Sequence, residues 1–441
     1  MLSSPLHALS EVLPLAGIDR LAEHLPQAWI EEALEATGSA SIRRRRLPAE
    51  QVVWLVIALA LYRHQSMPEV LATLDLALPN GAERVVSKSA VTQARQRLGV
   101  APLAWLFGRT AQSWCRQDAA RHAWKGLSLW AMDGTTLRTP DSPENRAHFG
   151  AQAYASGKIA SYPQVRAVSL TAIPTHLVGD MVFGAYGQNE MLYAKTLLED
   201  IPDNSLTVFD RGFLSAEILL GLSLKGMQRH YLIPAKSNTK WERLSGTEDD
   251  GLVRLRVSPQ ARNKAPGLPE YWTARAVRVV CSNGKIRVLL TSLTDQRRFQ
   301  AQELAECYRR RWEIETGYRE LKQSMLGGAL TLRSQQPQGI EQEIWGALIA
   351  YNLVRLEMAK AAIAAKVEPT DLSFVRALHI LQHEMIWAVG MAPGKLPAHL
   401  IRLRTQMQLA VVEKRRGRQS PRVVKARPTR YIVRFLKKDL N

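Results

Sequence analysis

Tyr308, Arg311, Glu315 and Lys322 are spaced three, four and seven apart. At 3.6 residues per turn these four side chains project within a sector of about 60°. Leu304, Cys307, Ile314, Leu321 and Met325 form an apolar stripe beside that sector. The pattern predicts one long helix over residues 300–326 that buries the stripe and presents a carboxylate among a guanidinium, an ammonium and a phenol. Glu and Arg four apart are also common on salt-bridged surface helices, but that plainer reading does not explain why all four types share a face beside a buried stripe. Two more carboxylates follow short apolar runs of strand type: Asp133 after Leu127–Met132 and Asp210 after Leu206–Phe209. Strand ends in an α/β sheet open onto the crevice where ligands bind, so the two could meet although 77 positions (210 − 133) separate them. An Asp after a strand is also a common turn or cap residue. Carboxylates gathered among Arg and Lys would suit a hard cation and a phosphate.

The elements that must position these residues fall into blocks. Residues 1–125 read as a helical N-terminal unit, with apolar positions recurring at three and four. Within it, Arg43–Arg46 stand before a helix entry, and Ser87 to Gly99 reads as a short helix bearing Gln93, Arg95, Gln96 and Arg97. Those side chains could reach phosphates and base edges; the alternative is an ordinary surface helix. Strands and helices alternate over 126–235 and 286–375, which implies an α/β core with a mixed sheet flanked by helices. Residues 236–285 carry strand patterns, prolines and glycines without a convincing helix, and read as a β-rich insertion. Residues 376–441 comprise a helix and a basic tail, with eleven Lys or Arg and one acid between Glu413 and Lys438.

Composition narrows the function classes. Lys and Arg number 59 against 40 Asp and Glu, a net charge of +19 over 441 residues. So basic a chain points to polyanions, with nucleic acid first. No apolar run approaches the ~20 residues of a membrane helix, and no secretory signal is visible. Cys115, Cys281 and Cys307 form neither a disulfide framework nor a Cys-x-x-Cys metal spacing, consistent with a reduced cytoplasmic setting. His379 and His383 stand four apart, but lack the surrounding pattern of a zinc site and read as a structural pair. There is no Gly-x-Ser-x-Gly and no phosphate-binding Gly-x-x-x-x-Gly-Lys loop, so neither serine-nucleophile chemistry nor a nucleotide cofactor is expected.

The chain resembles the insertion-sequence-4 family of DDE transposases, bacterial cut-and-paste elements. That family's Tyr-x2-Arg-x3-Glu-x6-Lys signature matches Tyr308, Arg311, Glu315 and Lys322 without a spacing error. Its first Asp precedes a Gly, as in Asp133-Gly134, and its second lies in a stretch like Val208-Phe209-Asp210-Arg211-Gly212-Phe213. The segments Arg138–Asn145 and Tyr351-Asn352-Leu353-Val354-Arg355 also look familial. The resemblance implies an RNase-H-like core, with Asp133, Asp210 and Glu315 as catalytic metal ligands. It further implies cleavage at transposon ends through a hairpin intermediate and joining to target DNA. The implied partners are double-stranded DNA, as terminal inverted repeats and as target, and a second copy in a synaptic dimer. The implied setting is the bacterial cytoplasm, in association with the nucleoid.

Physical chemistry agrees. Phosphodiester cleavage needs an activated oxygen nucleophile and a stabilised leaving group. Two Mg²⁺ ions about 4 Å apart, with Mn²⁺ as a substitute, do both with carboxylate ligands. Arg311 and Lys322 could hold phosphates, and Tyr308 could bond a phosphate or orient Glu315. In related enzymes the insertion carries an aromatic that stacks on a flipped base. Trp241 and Trp272 are candidates by region, and Arg287 stands where some relatives have Trp. The other readings are a non-catalytic DNA-binding descendant and a nuclease that never joins ends.

Overall fold

The computed structural model describes residues 24–39, 47–73, 87–154, 157–280, 284, 286–327, 332–388, 396–412 and 433–434. The Arg43–Arg46 run and all of the basic tail except 433–434 lie outside the described residues. Among the described residues five helices come first: α1 (Gln27–Ala36), α2 (Ala49–Leu61), α3 (Met67–Thr73), α4 (Lys88–Leu98) and α5 (Ala101–Arg121). In α2 every residue except Glu50 and Gln51 is buried, as an apolar helix requires. On α4, the Ser87 hydroxyl accepts the Ala90 N–H at 3.3 Å and Gly99 ends the helix at φ 73°.

Next come β1 (Ser128–Arg138), α6 (Pro143–Phe149), β2 (Ile159–Ala160), β3 (Gln164–Ala172), β4 (Val178–Ala185), α7 (Glu190–Thr196), β5 (Ser205–Phe209), α8 (Ala216–Leu224) and β6 (Arg229–Pro234). The strands β7 (Glu242–Gly246) and β8 (Asp250–Arg256), the short helix α9 (Pro259–Lys264), and the strands β9 (Tyr271–Val280) and β10 (Ile286–Thr291) follow. Nine strands make one sheet in the order β4-β3-β1-β5-β6-β10-β9-β8-β7. β4, β3 and β1 pair antiparallel, while β1, β5 and β6 pair parallel. This is the RNase-H-like arrangement. The strands of the 236–285 segment are not a separate layer: β9 pairs with β10, and β8 and β7 extend the same sheet outward.

Two expectations change here. β1 does not stop before Asp133. Its parallel pairing with β5 ends at Met132↔Phe209, but β3 carries it on to Arg138↔Gln164. The helical run over 300–326 is also not continuous. It divides into α10 (Ala301–Arg309), α11 (Trp312–Arg319) and a π-helical turn, Glu320–Met325. At the first break Arg311 N–H bonds to Tyr308 and Ile314 N–H to Arg311, each three residues back. Tyr308, Arg311, Glu315 and Lys322 therefore share no single helical wheel, and only Arg311 and Glu315 keep the plain four-residue relation.

The chain continues through α12 (Pro337–Ala365), α13 (Phe374–Ala388) and α14 (Leu396–Gln408), and β11 (Val433–Arg434) pairs with β2. α12 is 29 residues long and buried along most of its length. It packs on α2 so closely that a Cβ on Gly346 would lie 2.7 Å from Val56. Among the described residues no helix is long and apolar enough to cross a membrane.

Candidate active site

Met132 and Phe209 are the last paired residues of the parallel β1–β5 ladder, so Asp133 and Asp210 follow at the same end of two adjacent strands. Asp133 remains in register with Ser169 of β3. Asp210 instead leaves the sheet as a 3-10 turn begins, its carbonyl accepting the Phe213 N–H at 3.0 Å. α11 is fixed against this point from within. The buried Tyr318 hydroxyl donates to the Asp133 carbonyl at 2.6 Å and lies 2.8 Å from the Ser169 hydroxyl.

Two of the remaining signature residues, Arg311 and Lys322, reach β1 directly. Arg311 donates to Asp133 at 3.3 Å and to Glu315 at 2.9 Å, bridging the two carboxylates. Its Nε is buried without a hydrogen-bond partner. Lys322 Nζ donates to the Thr135 hydroxyl at 3.0 Å and the Thr136 carbonyl at 3.4 Å, carried there by the π-turn. Tyr308 is buried near Arg311, Asp210 and Arg287. Burial, reinforced by the negative charges of Asp210 and Glu315, pushes the Asp133 carboxyl up to about 6 despite Arg311. Burial works against the Arg311 charge, but Tyr308, Asp133 and Asp210 hold its pKa above the ordinary value. The site is thus a cluster of oxygen ligands short of positive charge, which fits a divalent cation. Among the described residues no three His, Cys, Asp or Glu side chains converge tightly enough to hold a metal ion by themselves. A guanidinium stands between Asp133 and Glu315 instead.

The DNA-facing expectations divide. Arg97, Gln93 and Gln96 are exposed on α4. Arg95 is partly buried and turned toward α12: it donates to the Gln342 side chain and the Gly339 carbonyl, each at 3.2 Å. Burial lowers its pKa. Its register on α4 puts it over the start of α12, where it meets Gly339 and Gln342. Trp272 is 7% exposed and packs edge-on against Tyr231, so it is core; Trp241 is half-buried. The aromatic that sequence reasoning passed over is Trp312, 62% exposed at the start of α11 with the Arg311 guanidinium 5.8 Å from its ring. Its signal was visible, since it falls between Arg311 and Glu313 and off the apolar stripe.

Two family profiles match the chain, one described as the insertion element 4 transposase N-terminal region over residues 15–108, the other as the transposase DDE domain over 124–353. The chain is similar to the transposase InsG for insertion sequence element IS4 of Escherichia coli (strain K12), with 42% identity over 93% of this chain and 92% of that protein. It is also similar to the putative transposase InsZ of the same strain, with 38% identity over 56% of this chain and 82% of that one. A piggyBac transposase solved by cryo-EM as a synaptic complex with hairpin DNA aligns over 91% of this chain and 85% of its own, with 11% identity and a TM-score of 0.40.

Proposed function

The chain belongs to the insertion element 4 family of DDE transposases, and from that premise we propose that Asp133, Asp210 and Glu315 are its catalytic carboxylates. A transposase of this family is a metal-dependent polynucleotidyl transferase that cuts DNA at the ends of its element and joins those ends to a target. The observation that carries the residue assignment is the register Met132↔Phe209, which sets two aspartates side by side, together with the Arg311 bridge from Asp133 to Glu315.

Two Mg²⁺ ions held by the three carboxylates would activate the attacking oxygen and stabilise the leaving one. The chain's own side chains bind and orient the DNA. Arg311 has an unpaired Nε as well as its two bridging nitrogens, so it can accept a phosphate of the cut end. Lys322 lies along β1 beside Thr135, where its ammonium holds a second phosphate, and Tyr308 closes the Asp210 side. Trp312 offers an exposed ring beside the reacting end on which a base can stack. Gln93, Gln96 and Arg97 on α4 meet the intact duplex away from the chemistry. The freed 3′-hydroxyl then attacks the opposite strand to form a hairpin, which is reopened before joining. A synaptic dimer working in the cytoplasm at the nucleoid completes the reading.

The test uses full-length protein and a duplex copied from the DNA flanking its gene. Asp133→Asn, Asp210→Asn and Glu315→Gln keep side-chain size while removing the charge a cation needs. Each should cut cleavage by orders of magnitude with end binding retained. Near-normal nicking by Glu315→Gln with Mg²⁺ removes Glu315 from the site.

A further inference from the structure

On the side of α11 away from Glu315, the residues Glu313, Gly317 and Glu320 follow one another at four and three positions, a single helix face. That face meets a buried polar cluster built from two distant elements. The turn between β3 and β4 supplies His176, 1% exposed and at φ 60°. α12 supplies Tyr351 and Arg355, each 1% exposed. His176 Nε2 lies 2.9 Å from the Glu313 carboxylate, and Nδ1 3.4 Å from Glu320. Tyr351 donates to Glu320 at 2.9 Å, and Arg355 pairs with the same carboxylate at 2.9 Å while also reaching His176 Nδ1. With Nε2–H donating to Glu313, Nδ1 accepts from Arg355, and its 3.4 Å approach to Glu320 is a contact rather than a hydrogen bond.

Two further contacts fix the frame. The Asn352 side chain takes both the N–H and the carbonyl of Val178 in β4, at 2.8 and 2.9 Å, locking α12 to the sheet one residue from Tyr351. Thr175, next to His176, donates to Asp118 near the end of α5 at 2.7 Å, tying the same turn to the N-terminal helices. Gly317 leaves no slack, since a Cβ there would sit 3.2 Å from the Tyr351 hydroxyl. The π-turn begins at Glu320 itself. A buried ionic cluster of this kind gives little net stability, because desolvation offsets the Coulomb gain, but it fixes one geometry sharply.

We propose that Glu320, Tyr351, Arg355 and His176 are positioning residues for the transposition chemistry: they set the rotation and depth of α11 and the start of the π-turn, and so aim Glu315 and Lys322 at β1. The proposal rests on the assignment of Glu315 given above. It accounts for the Tyr351–Arg355 segment, whose side chains bond to Glu320, Val178 and His176.

Tyr351→Phe and Gly317→Ala perturb this face while leaving every charge in place; Arg355→Ala removes the cation. Full-length variants are compared on a duplex copied from the DNA flanking the gene, with three readouts: duplex affinity, single-turnover nicking at saturating duplex, and Mn²⁺ binding to the protein–duplex complex followed by electron paramagnetic resonance. Groups that orient ligands typically change metal affinity or rate by about 10- to 100-fold. For Tyr351→Phe and Gly317→Ala the expected result is unchanged melting and duplex affinity, with slower nicking and weaker Mn²⁺ binding. Arg355→Lys should retain more rate than Arg355→Ala. Wild-type nicking and Mn²⁺ binding in both mild variants overturn the proposal, whether or not Arg355→Ala folds. A Glu315→Gln protein that nicks normally would instead sink the underlying site assignment, so the two failures are separable.

Discussion

Arg95 and Arg97 stand two residues apart on α4 and have opposite environments, which makes them a matched pair of tests. Arg97 is exposed, so Arg97→Ala should make the salt dependence of duplex binding shallower by about one unit of slope. Arg95→Ala should leave that slope alone and instead lower stability by about 1–3 kcal/mol, because Gln342 and Gly339 lose a partly buried charged donor. Affinity at several salt concentrations, beside a melting curve, separates the two; a slope change in Arg95→Ala would return that residue to the DNA surface. Arg311 differs from both. Two of its guanidinium nitrogens are held by Asp133 and Glu315 within the site, so Arg311→Ala should bind uncut ends almost normally yet stop at nicked DNA without hairpin or joined product. Loss of initial binding with an otherwise wild-type product gel would make it a general anchor. The chemical types at 133, 210, 308, 311, 315 and 322 were legible because they are a matter of residue identity and short spacing. The inward turn of Arg95 was not, because its acceptors lie on α12, more than 240 positions later. Only the folded chain shows which donors those acceptors claim.

At the scale of elements, strand and helix types were readable but their ends were not. The apolar run to Met132 marks where β1 parts from β5, yet the strand continues because β3 remains as its partner, and no local signal carries that information. Likewise the spacing over 300–326 fits a single helix; the break at Arg311 and the π-turn at Glu320 answer to contacts with β1 and α12. The packing of α5 on β4 gives a prediction of its own. Between them lies a cleft of about 810 Å³ that includes Trp105, Arg109, Arg116, Asp180 and Asp200. Burial, and then the neighbouring Asp200 carboxylate, push Asp180 up to about 7. The folded state therefore binds a proton that the unfolded chain releases at ordinary carboxylate pKa. Between that range and pH 7 this group's contribution favours folding at the acid end and fades as pH rises through about 7. Asp180→Asn should accordingly melt higher than wild type at pH 8, with the gap shrinking toward pH 5. Melting curves across that range test it, and a gap that is constant with pH would mean Asp180 is not held protonated.

For the molecule as a whole the dominant quantity is charge. The net +19 is spread over 441 residues, but eleven of the basic residues fall between Glu413 and Lys438. Of that stretch the structure describes Val433–Arg434, which pairs with β2 through Val433↔Ala160 and Arg434↔Ile159. A two-residue strand contributes little to folding, since isolated short pairings are marginal even at greater length. Truncation after Val412 should therefore leave the melting temperature close to that of the full chain. Its effect should fall on DNA instead. Each phosphate contact that is lost makes the salt dependence of binding shallower by roughly one unit of slope, so the truncated protein should bind all duplexes more weakly and with a flatter salt dependence. The face proposed as catalytic, made by β1, β5 and α11, is built without the tail. At low salt, with duplex in saturating excess, the truncated protein should accordingly nick at nearly the full-length rate. That combination of a flattened slope and a preserved single-turnover rate distinguishes a tail that gathers DNA from one that helps to build the site. If the rate falls at saturation while the slope stays steep, the tail acts on the catalytic core through its pairing with β2, and the division of labour between a basic arm and a rigid active face is wrong.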